Sequence, residues 1–174
     1  VITSAPQLAQ LMAANVRKLR AAIAQSLTED ATQTPSRPLY AQFVAYRQLL
    51  QPDLTPAEFA DMYAQTIAYG MFAARLHTPP EQDFSRQAAA DWIPKTNPFL
   101  RNLFSYLAGV NLDERIAWIV DALVTIFRAT NMAAVMTNFG NATQQHDPVI
   151  HFYETFLAEY NPALRKSRGV CRKL

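Results

Sequence analysis

Residues 4–27 read "SAPQLAQLMAANVRKLRAAIAQSL", and their apolar positions repeat with the period of an α-helix. Ser4 and Gln7 form a capping box, with Pro6 in the first turn. The apolar residues follow at steps of three and four, which places them on one helix face. They are Leu8, Leu11, Met12, Val16, Leu19, Ile23 and Leu27. This pattern predicts one long amphipathic helix, followed by a polar loop over residues 28–37.

Two further helices are predicted in the next fifty residues. The second is marked by Leu39, Phe43, Tyr46 and Leu50 and ends near Pro52. The third opens at a second capping box, Thr55 to Glu58, with Pro56 at the first helical position. Gly70 lies inside this helix, where glycine costs about 1 kcal/mol relative to alanine. A close helix neighbour at Gly70 is therefore expected.

Five more helices are predicted after the break at residues 77–83. They are a short one ending at Trp92, one opening at Asn97-Pro98, one over 113–128, a short one over 132–137, and a last one opening at Pro148. A polar loop is predicted over residues 138–147. Trp92 and Trp118 are expected in the core because they fall at helical spacing. The last helix is expected to bury Val149, Ile150, Tyr153, Phe156 and Leu157.

No segment alternates apolar and polar residues for long enough to predict a strand, and four glycines in the whole chain leave little material for hairpin turns. The predicted fold is therefore all-α, an irregular bundle of about seven or eight helices with no sheet. Residues 1–164 are expected to form a single helical domain, and residues 165–174 a basic C-terminal tail.

Charge is distributed unevenly along the chain. Residues 1–164 hold eleven basic and fourteen acidic side chains, whereas residues 165–174 hold five basic side chains and no acidic one. Any attraction to phosphate is therefore expected in the tail and not in the body. A basic helix end is also ordinary, because cations are favourable near a helix C-terminus.

The remaining composition points to a protein of the cytoplasm. Cys171 is the only cysteine, so no intrachain disulfide can form, and a reducing compartment is the default. The opening "VITSAPQL" does not have the pattern of a signal peptide and has no initiator Met, which suggests that the chain was cut from a longer one. No stretch approaches the roughly 18 apolar residues that a membrane span needs.

The sequence contains no strong signal for a metal site or a catalytic site. His146 and His151 lie five residues apart, about 500° of helix rotation, so they are not expected to share a metal ion, and Asp147 is better placed as a helix cap. The segment "TNPFL", residues 96–100, is a candidate catalytic loop. A helix start explains it fully, with Asn97 as the N-cap and Pro98 at the first helical position. Four carboxylates could pair as acid and base only by chance in three dimensions. They are Asp53, Asp61, Asp113 and Glu114.

Residues 146–170 read "HDPVIHFYETFLAEYNPALRKSRGV". This segment resembles one found in large single-chain N6-adenine DNA methyltransferases of restriction–modification systems, the type ISP group and its relatives. The matching positions are Asp147, Pro148, Phe152, Tyr153, Glu154, Phe156, Leu157, Leu164, Arg165, Arg168, Gly169 and Val170. The helical stretches at 59–76, 84–104 and 116–127 resemble the same family's helical region. After Val170 the family continues Tyr-Tyr-Thr-Pro, but this chain reads Cys-Arg-Lys-Leu.

The resemblance implies a helical connector, truncated before the methyltransferase domain, that positions a nuclease module and a methyltransferase module of the same polypeptide. S-adenosylmethionine would be a cofactor of the parent enzyme and not of this chain, since Gly169 and Val170 are only the edge of its motif. DNA would be the partner of the parent enzyme, and the tail would contact its backbone through Arg165, Lys166, Arg168, Arg172 and Lys173. A stand-alone helical protein–protein interaction module, with an apolar groove for a partner helix, is the alternative. A small methyltransferase in its own right is a third, disfavoured by the absence of a glycine-rich loop.

Overall fold

The computed structural model describes residues 1–34, 37–93, 98–109, 111–140 and 148–163, without the side chains of residues 99, 138–140 and 148. These residues form eight helices and no sheet, so the predicted all-α bundle is confirmed. The helices are α1 (Ala5–Gln33), α2 (Pro38–Leu49), α3 (Pro56–His77), α4 (Arg86–Asp91), α5 (Pro98–Ala108), α6 (Glu114–Arg128), α7 (Met132–Gly140) and α8 (Pro148–Tyr160).

The two capping boxes begin their helices as predicted. The Ser4 hydroxyl accepts the Gln7 amide N–H at 3.3 Å at the start of α1. The Thr55 hydroxyl accepts the Glu58 amide N–H at 3.2 Å and donates to the Glu58 carboxylate at 3.0 Å at the start of α3. Each cap satisfies an amide that the first helical turn leaves without a backbone partner.

α1 is the central helix of the bundle and packs against α3, α6 and α8. Six of the seven residues in its predicted stripe are buried, while Leu11 lies at the stripe's edge and is 37% exposed. The buried apolar side chains of the described residues form one cluster that extends from Ile2 to Tyr160. The proposed boundary at residue 164 lies outside the described residues and stays a prediction.

The N-terminus is tied to the turn between α6 and α7. Ile2 donates its amide to the Ala129 carbonyl at 2.8 Å, and its own carbonyl accepts from the Asn131 amide at 2.8 Å. Arg75 at the end of α3 donates to the carbonyls of Phe127 and Thr130 in the same region. A cation is favourable there because these carbonyls lie at the C-terminal end of α6, where the helix dipole is negative.

The prediction of a loop over residues 28–37 is wrong for residues 28–33, because α1 continues to Gln33. The Thr28 hydroxyl donates to the Ala24 carbonyl at 3.0 Å, and Gln25 donates to Glu29 at 3.1 Å, so polar side chains support the added turns. Asp30 in the last turn is buried and pairs with Arg115 of α6. Tertiary contact thus extends the helix through a segment whose sequence looks like a loop.

α7 is also longer than predicted, since it runs to Gly140 and takes three residues from the predicted loop over 138–147. The Asn131 side chain caps its start by accepting the Ala134 amide at 3.1 Å. Glycine is a common residue at a helix end. Residues 141–147 lie outside the described part of the chain.

Two tryptophans expected in the core are exposed, Trp92 by 42% and Trp118 by 61%. α6 buries Ile116, Ile119, Val120 and Leu123 against the core. Residue 118 is about 200° of rotation from residue 116 and about 100° from residue 119, which places it on the outer face. Trp92 directly follows α4, which ends at Asp91. Helical spacing by itself did not identify the buried face.

The buried face of α8 also differs from the predicted one. Phe152, Phe156 and Tyr160 are buried, whereas Ile150 is 55% exposed. Val149, Tyr153 and Leu157 are partly buried against the core. The helix has apolar residues on most of its sides, so the sequence permits several buried faces. In the described part of the chain no helix is both long and apolar enough to cross a membrane.

Candidate functional site

α8 contains most of the described part of the segment that resembles the methyltransferases, and it is packed deeply into the bundle. Phe152, Phe156 and Tyr160 follow one another at one-turn intervals and are almost fully buried. The Phe152 ring stacks on Phe72 of α3 with a centroid distance of 4.0 Å and an interplanar angle of 7°. The helix is therefore part of the core and not an appendage to it.

The C-terminal end of α8 is fixed by charged and polar contacts with α1 and α3. The Tyr160 hydroxyl donates to the Asp61 carboxylate at 2.6 Å. The Arg20 guanidinium lies 5.2 Å from the centroid of the Tyr160 ring and 3.7 Å from the Asp61 carboxylate. Burial and the neighbouring carboxylate raise the pKa of Tyr160, so its phenol keeps its proton and remains a donor.

Two further contacts hold the same helix. Arg17 of α1 donates to the Glu159 carbonyl at 2.8 Å, which puts a positive charge at the helix C-terminus, where it is favourable. The Tyr153 hydroxyl donates to the Gln65 side-chain oxygen at 3.1 Å, and its ring meets Tyr69 edge to face at 5.1 Å. We call the set Arg17, Arg20, Asp61, Tyr153 and Tyr160 the α8 anchor.

The α8 anchor was not identified from the sequence. Its members come from three helices and are separated by up to about 140 positions, so no local motif joins them.

Tyr153 of the α8 anchor is also one of the positions that match the methyltransferases. The other family-like positions with described side chains are Phe152, Glu154, Phe156 and Leu157, and they lie on the same helix.

The residues predicted to contact DNA lie outside the described residues. They are Arg165, Lys166, Arg168, Arg172 and Lys173. The same holds for Gly169 and Val170, the predicted edge of a cofactor motif, and for Asp147, Leu164 and Cys171. Residue 163 is the last described residue, so the chain reaches this segment directly from the end of α8.

A second cluster of charged groups joins the end of α1 to the start of α6. The Arg115 guanidinium contacts both oxygens of Asp30, each at 3.0 Å, and both oxygens of Asp113. Glu29 lies 3.4 Å from the same guanidinium, and Arg37 lies 3.9 Å from Asp113. Hydrogen bonding to Arg115 holds the pKa of Asp113 below its usual range.

This cluster is suited to stability and not to acid–base catalysis. Asp30 is 2% and Asp113 8% exposed at the side chain, and a single guanidinium satisfies both carboxylates. A carboxylate that is fully paired and has a lowered pKa is a poor proton acceptor at neutral pH. Of the four carboxylates singled out from the sequence, only Asp113 belongs to this cluster. Its neighbour across Arg115 is Asp30, which was placed in a predicted loop.

Metal ligation has no support among the described residues. Within them no group of three His, Cys, Asp or Glu side chains is placed to hold a metal ion. His151 is half-buried on α8, while His146 and Asp147 fall outside the part of the chain that is described.

An apolar groove is lined by residues of α2, α3 and α5, and we call it the α2–α5 groove. It has a volume of about 350 Å³, and its lining among the described residues is Gln42, Ala45, Tyr46, Leu49, Leu50, Phe59, Tyr63, Asn102 and Leu103. Leu49 and Leu50 are 82% and 68% exposed, although the sequence pattern placed Leu50 on a buried stripe. α2 ends at Leu49 and Leu50 is its C-cap, so the two exposed leucines lie at the end of the helix.

Comparison with known proteins finds no matching family model, no matching curated sequence and no matching solved structure.

Proposed function

We propose that this chain is the helical connector of a DNA N6-adenine methyltransferase or restriction–modification enzyme. It would position a nuclease module and a methyltransferase module of the same polypeptide in the cytoplasm of a bacterium. S-adenosylmethionine would be bound by the parent enzyme. The resemblance at residues 146–170 motivates this assignment, and the α8 anchor is the observation that supports it.

The α8 anchor supports the proposal because a connector must transmit orientation. Three buried aromatic side chains fix α8 along its length, and Tyr160 and Arg17 fix its final turn to α3 and α1. A helix held at both its middle and its end cannot swing about its last turn without breaking charge-assisted hydrogen bonds. The end of α8, from which the chain continues, would therefore keep a fixed orientation in the bundle.

The described charges also favour a body that does not itself bind DNA. Of the eleven basic residues before residue 165, several are neutralised within the bundle, as Arg115, Arg86 and Arg20 are by carboxylates. Phosphate contact would belong to Arg165, Lys166, Arg168, Arg172 and Lys173. These would add a salt-dependent attraction to the DNA backbone without reading sequence.

Fluorescence anisotropy with a labelled DNA duplex at low salt tests the tail. Five phosphate contacts predict that log K falls with log salt concentration with a slope of about −4.5. Alanine at all five tail positions should abolish this binding. The matched control replaces Lys18 and Arg101, two exposed cations of the bundle, and should bind as the unchanged protein does. Binding that survives the five alanines would refute the tail's role.

The genomic reading frame on either side of this sequence tests the connector itself. The proposal expects a nuclease pattern upstream and an Asn-Pro-Pro-Tyr loop downstream. A frame that carries neither would refute the assignment, whatever the DNA titration gives.

A further inference from the structure

We infer that the bundle is a rigid spacer, which holds the segment around Ile2 and the end of α8 at a fixed separation of about 20 Å along the helix axes. Modules joined at these two points would be kept apart by that length. The use of the separation to position modules rests on the proposed connector function, whereas the separation itself depends only on contacts within the bundle.

The first attachment point is the segment around Ile2, which is held by backbone hydrogen bonds and by burial. The Ile2 amide donates to the Ala129 carbonyl, and the Ile2 carbonyl accepts from the Asn131 amide, both at 2.8 Å. These bonds pair Ile2 with Thr130 as an isolated parallel bridge, and the Ile2 side chain is 7% exposed. The first residues of a domain are usually poorly ordered unless contacts of this kind hold them. We call Ile2 and residues 129–131 the Ile2 bridge.

α3 connects the Ile2 bridge to the α8 anchor, which is the second attachment point. Near the end of α3, Arg75 donates to the carbonyls of Phe127 and Thr130 at 2.9 and 3.1 Å. Near the start of α3, Asp61 accepts from the Tyr160 hydroxyl at 2.6 Å. Fourteen positions separate Asp61 from Arg75, so the two contacts lie about 21 Å apart along the α3 axis at a rise of 1.5 Å per residue.

α1 gives a second measure of the same separation. It begins at Ala5, three positions after Ile2, and its Arg17 donates to the Glu159 carbonyl in the last turn of α8. Twelve positions separate Ala5 from Arg17, which corresponds to about 18 Å along the α1 axis. The values from the two helices agree to within one helical turn, so α1 and α3 set the same spacing.

The two attachment points also belong to one packed core. Ile2 and Tyr160 are both members of the continuous apolar cluster, and α1 packs against α3, α6 and α8 between them. A close-packed interior has low compressibility and transmits strain. A change in the separation would therefore require helices to slide past one another, which breaks the packing of the core.

Double electron–electron resonance between two nitroxide spin labels measures the separation. The labels are attached at Thr3→Cys and Ala163→Cys, two exposed positions beside the attachment points, in a chain whose native cysteine is removed by Cys171→Ser. One narrow distance peak at about 20–35 Å is expected. The helices contribute about 20 Å along their axes, neighbouring axes lie about 8–10 Å apart, and the label side chains add a little more.

Ile2→Asp should broaden the peak, because a carboxylate without a partner is unfavourable in the apolar core and the segment would be released. The expected increase in width is about 5–10 Å, the spread of three freely jointed residues. The matched control is Val1→Asp, which makes the same charge change at the neighbouring residue, 96% exposed, and should leave the peak unchanged. Ile2→Ala is a milder change that should broaden the peak in the same direction if Ile2→Asp does not fold, which circular dichroism checks.

Two outcomes would overturn the inference. The first is a broad distance distribution in the chain that keeps Ile2, and the second is an equally narrow peak in the Ile2 variants and in Val1→Asp. Failure of the connector function is distinguishable from both. A narrow peak in a chain whose reading frame lacks the two modules would refute the connector and support the spacer, whereas a broad peak in a frame that carries them would refute the spacer alone.

Discussion

Replacing Gly70 with alanine tests how closely α3 packs against α5. The Phe104 ring of α5 lies over Gly70, and a Cβ atom built there would lie 2.6 Å from the Phe104 Cε2 atom. Favourable contact between carbon atoms needs about 3.5–4.0 Å. Phe104 is 1% exposed, so its ring is surrounded by protein and has no solvent-filled space into which to move.

Two opposing terms set the expected magnitude. Alanine is favoured over glycine inside a helix by about 0.8–1.0 kcal/mol. Insertion of an extra methyl group into a well-packed core costs about 1–3 kcal/mol. We therefore expect Gly70→Ala to lower the free energy of unfolding by about 1 kcal/mol, because the steric term exceeds the gain in helix propensity.

Urea unfolding, followed by circular dichroism, measures this change as a shift in midpoint at constant slope. Ala21→Gly, at an exposed position of α1, calibrates the propensity term and should cost about 1 kcal/mol without any steric contribution. Phe104→Leu removes the ring, so Gly70→Ala should become neutral or stabilising in that background. The double-mutant cycle should give a coupling energy of about 1–2 kcal/mol.

Steric conflict between Phe104 and a side chain at position 70 is refuted if Gly70→Ala raises the stability of the unchanged protein as much as it raises that of the Phe104→Leu variant. Helix propensity would then be the only effect, and Gly70 would not mark a close approach of two helices.

Three other predictions concern stability and exposure. Arg115→Met should lower the free energy of unfolding by about 2–4 kcal/mol, because it leaves the buried Asp30 carboxylate without its cation and leaves Asp113 only Arg37, 3.9 Å away. The pKa of Asp113 is lowered in the folded protein, so its contribution to stability is present above the pKa of about 3.9 in the unfolded chain and is lost as pH falls through the lower folded pKa. Arg115→Met should therefore lose less stability between pH 7 and pH 3 than the unchanged protein does, as measured by urea midpoints. Tyr160→Phe should cost about 1–2 kcal/mol and speed amide exchange in the last turn of α8, since the bond to Asp61 is lost. Trp118→Ala should change stability by no more than about 0.5 kcal/mol, and acrylamide should quench Trp118 readily in the folded protein.

Each of these has a result that would contradict it, and Tyr160→Phe also has a control variant. Tyr69→Phe removes a hydroxyl from an exposed ring and should stay within about 0.5 kcal/mol, so an equal loss there would remove the special role of Tyr160. An Arg115→Met variant as acid-sensitive as the unchanged protein would contradict the pairing of Arg115 with Asp113. A Trp118→Ala variant that loses several kcal/mol would place Trp118 in the core after all.

The sequence was sufficient for the fold class and for most helix starts. Ser4 and Thr55 hydrogen-bond within their own first turns, and the α1 stripe repeats at three and four residues. These interactions join residues at most four positions apart, so their pattern is visible in the chain before it folds. The close neighbour of Gly70 was also predicted, because glycine in a helix interior is unfavourable unless something compensates for it.

The remaining features of the fold and of the candidate site depend on interactions between positions far apart in the sequence. Asp30 extends α1 because Arg115, eighty-five positions away, neutralises it in the folded protein. α8 is apolar on most sides, and its contacts with α1 and α3 select Phe152, Phe156 and Tyr160 as the buried face. The α8 anchor and the α2–α5 groove likewise each combine side chains from three helices. Local spacing reports which residues share a helix face, but burial and pairing depend on which helices meet, and only packing of the whole bundle sets that.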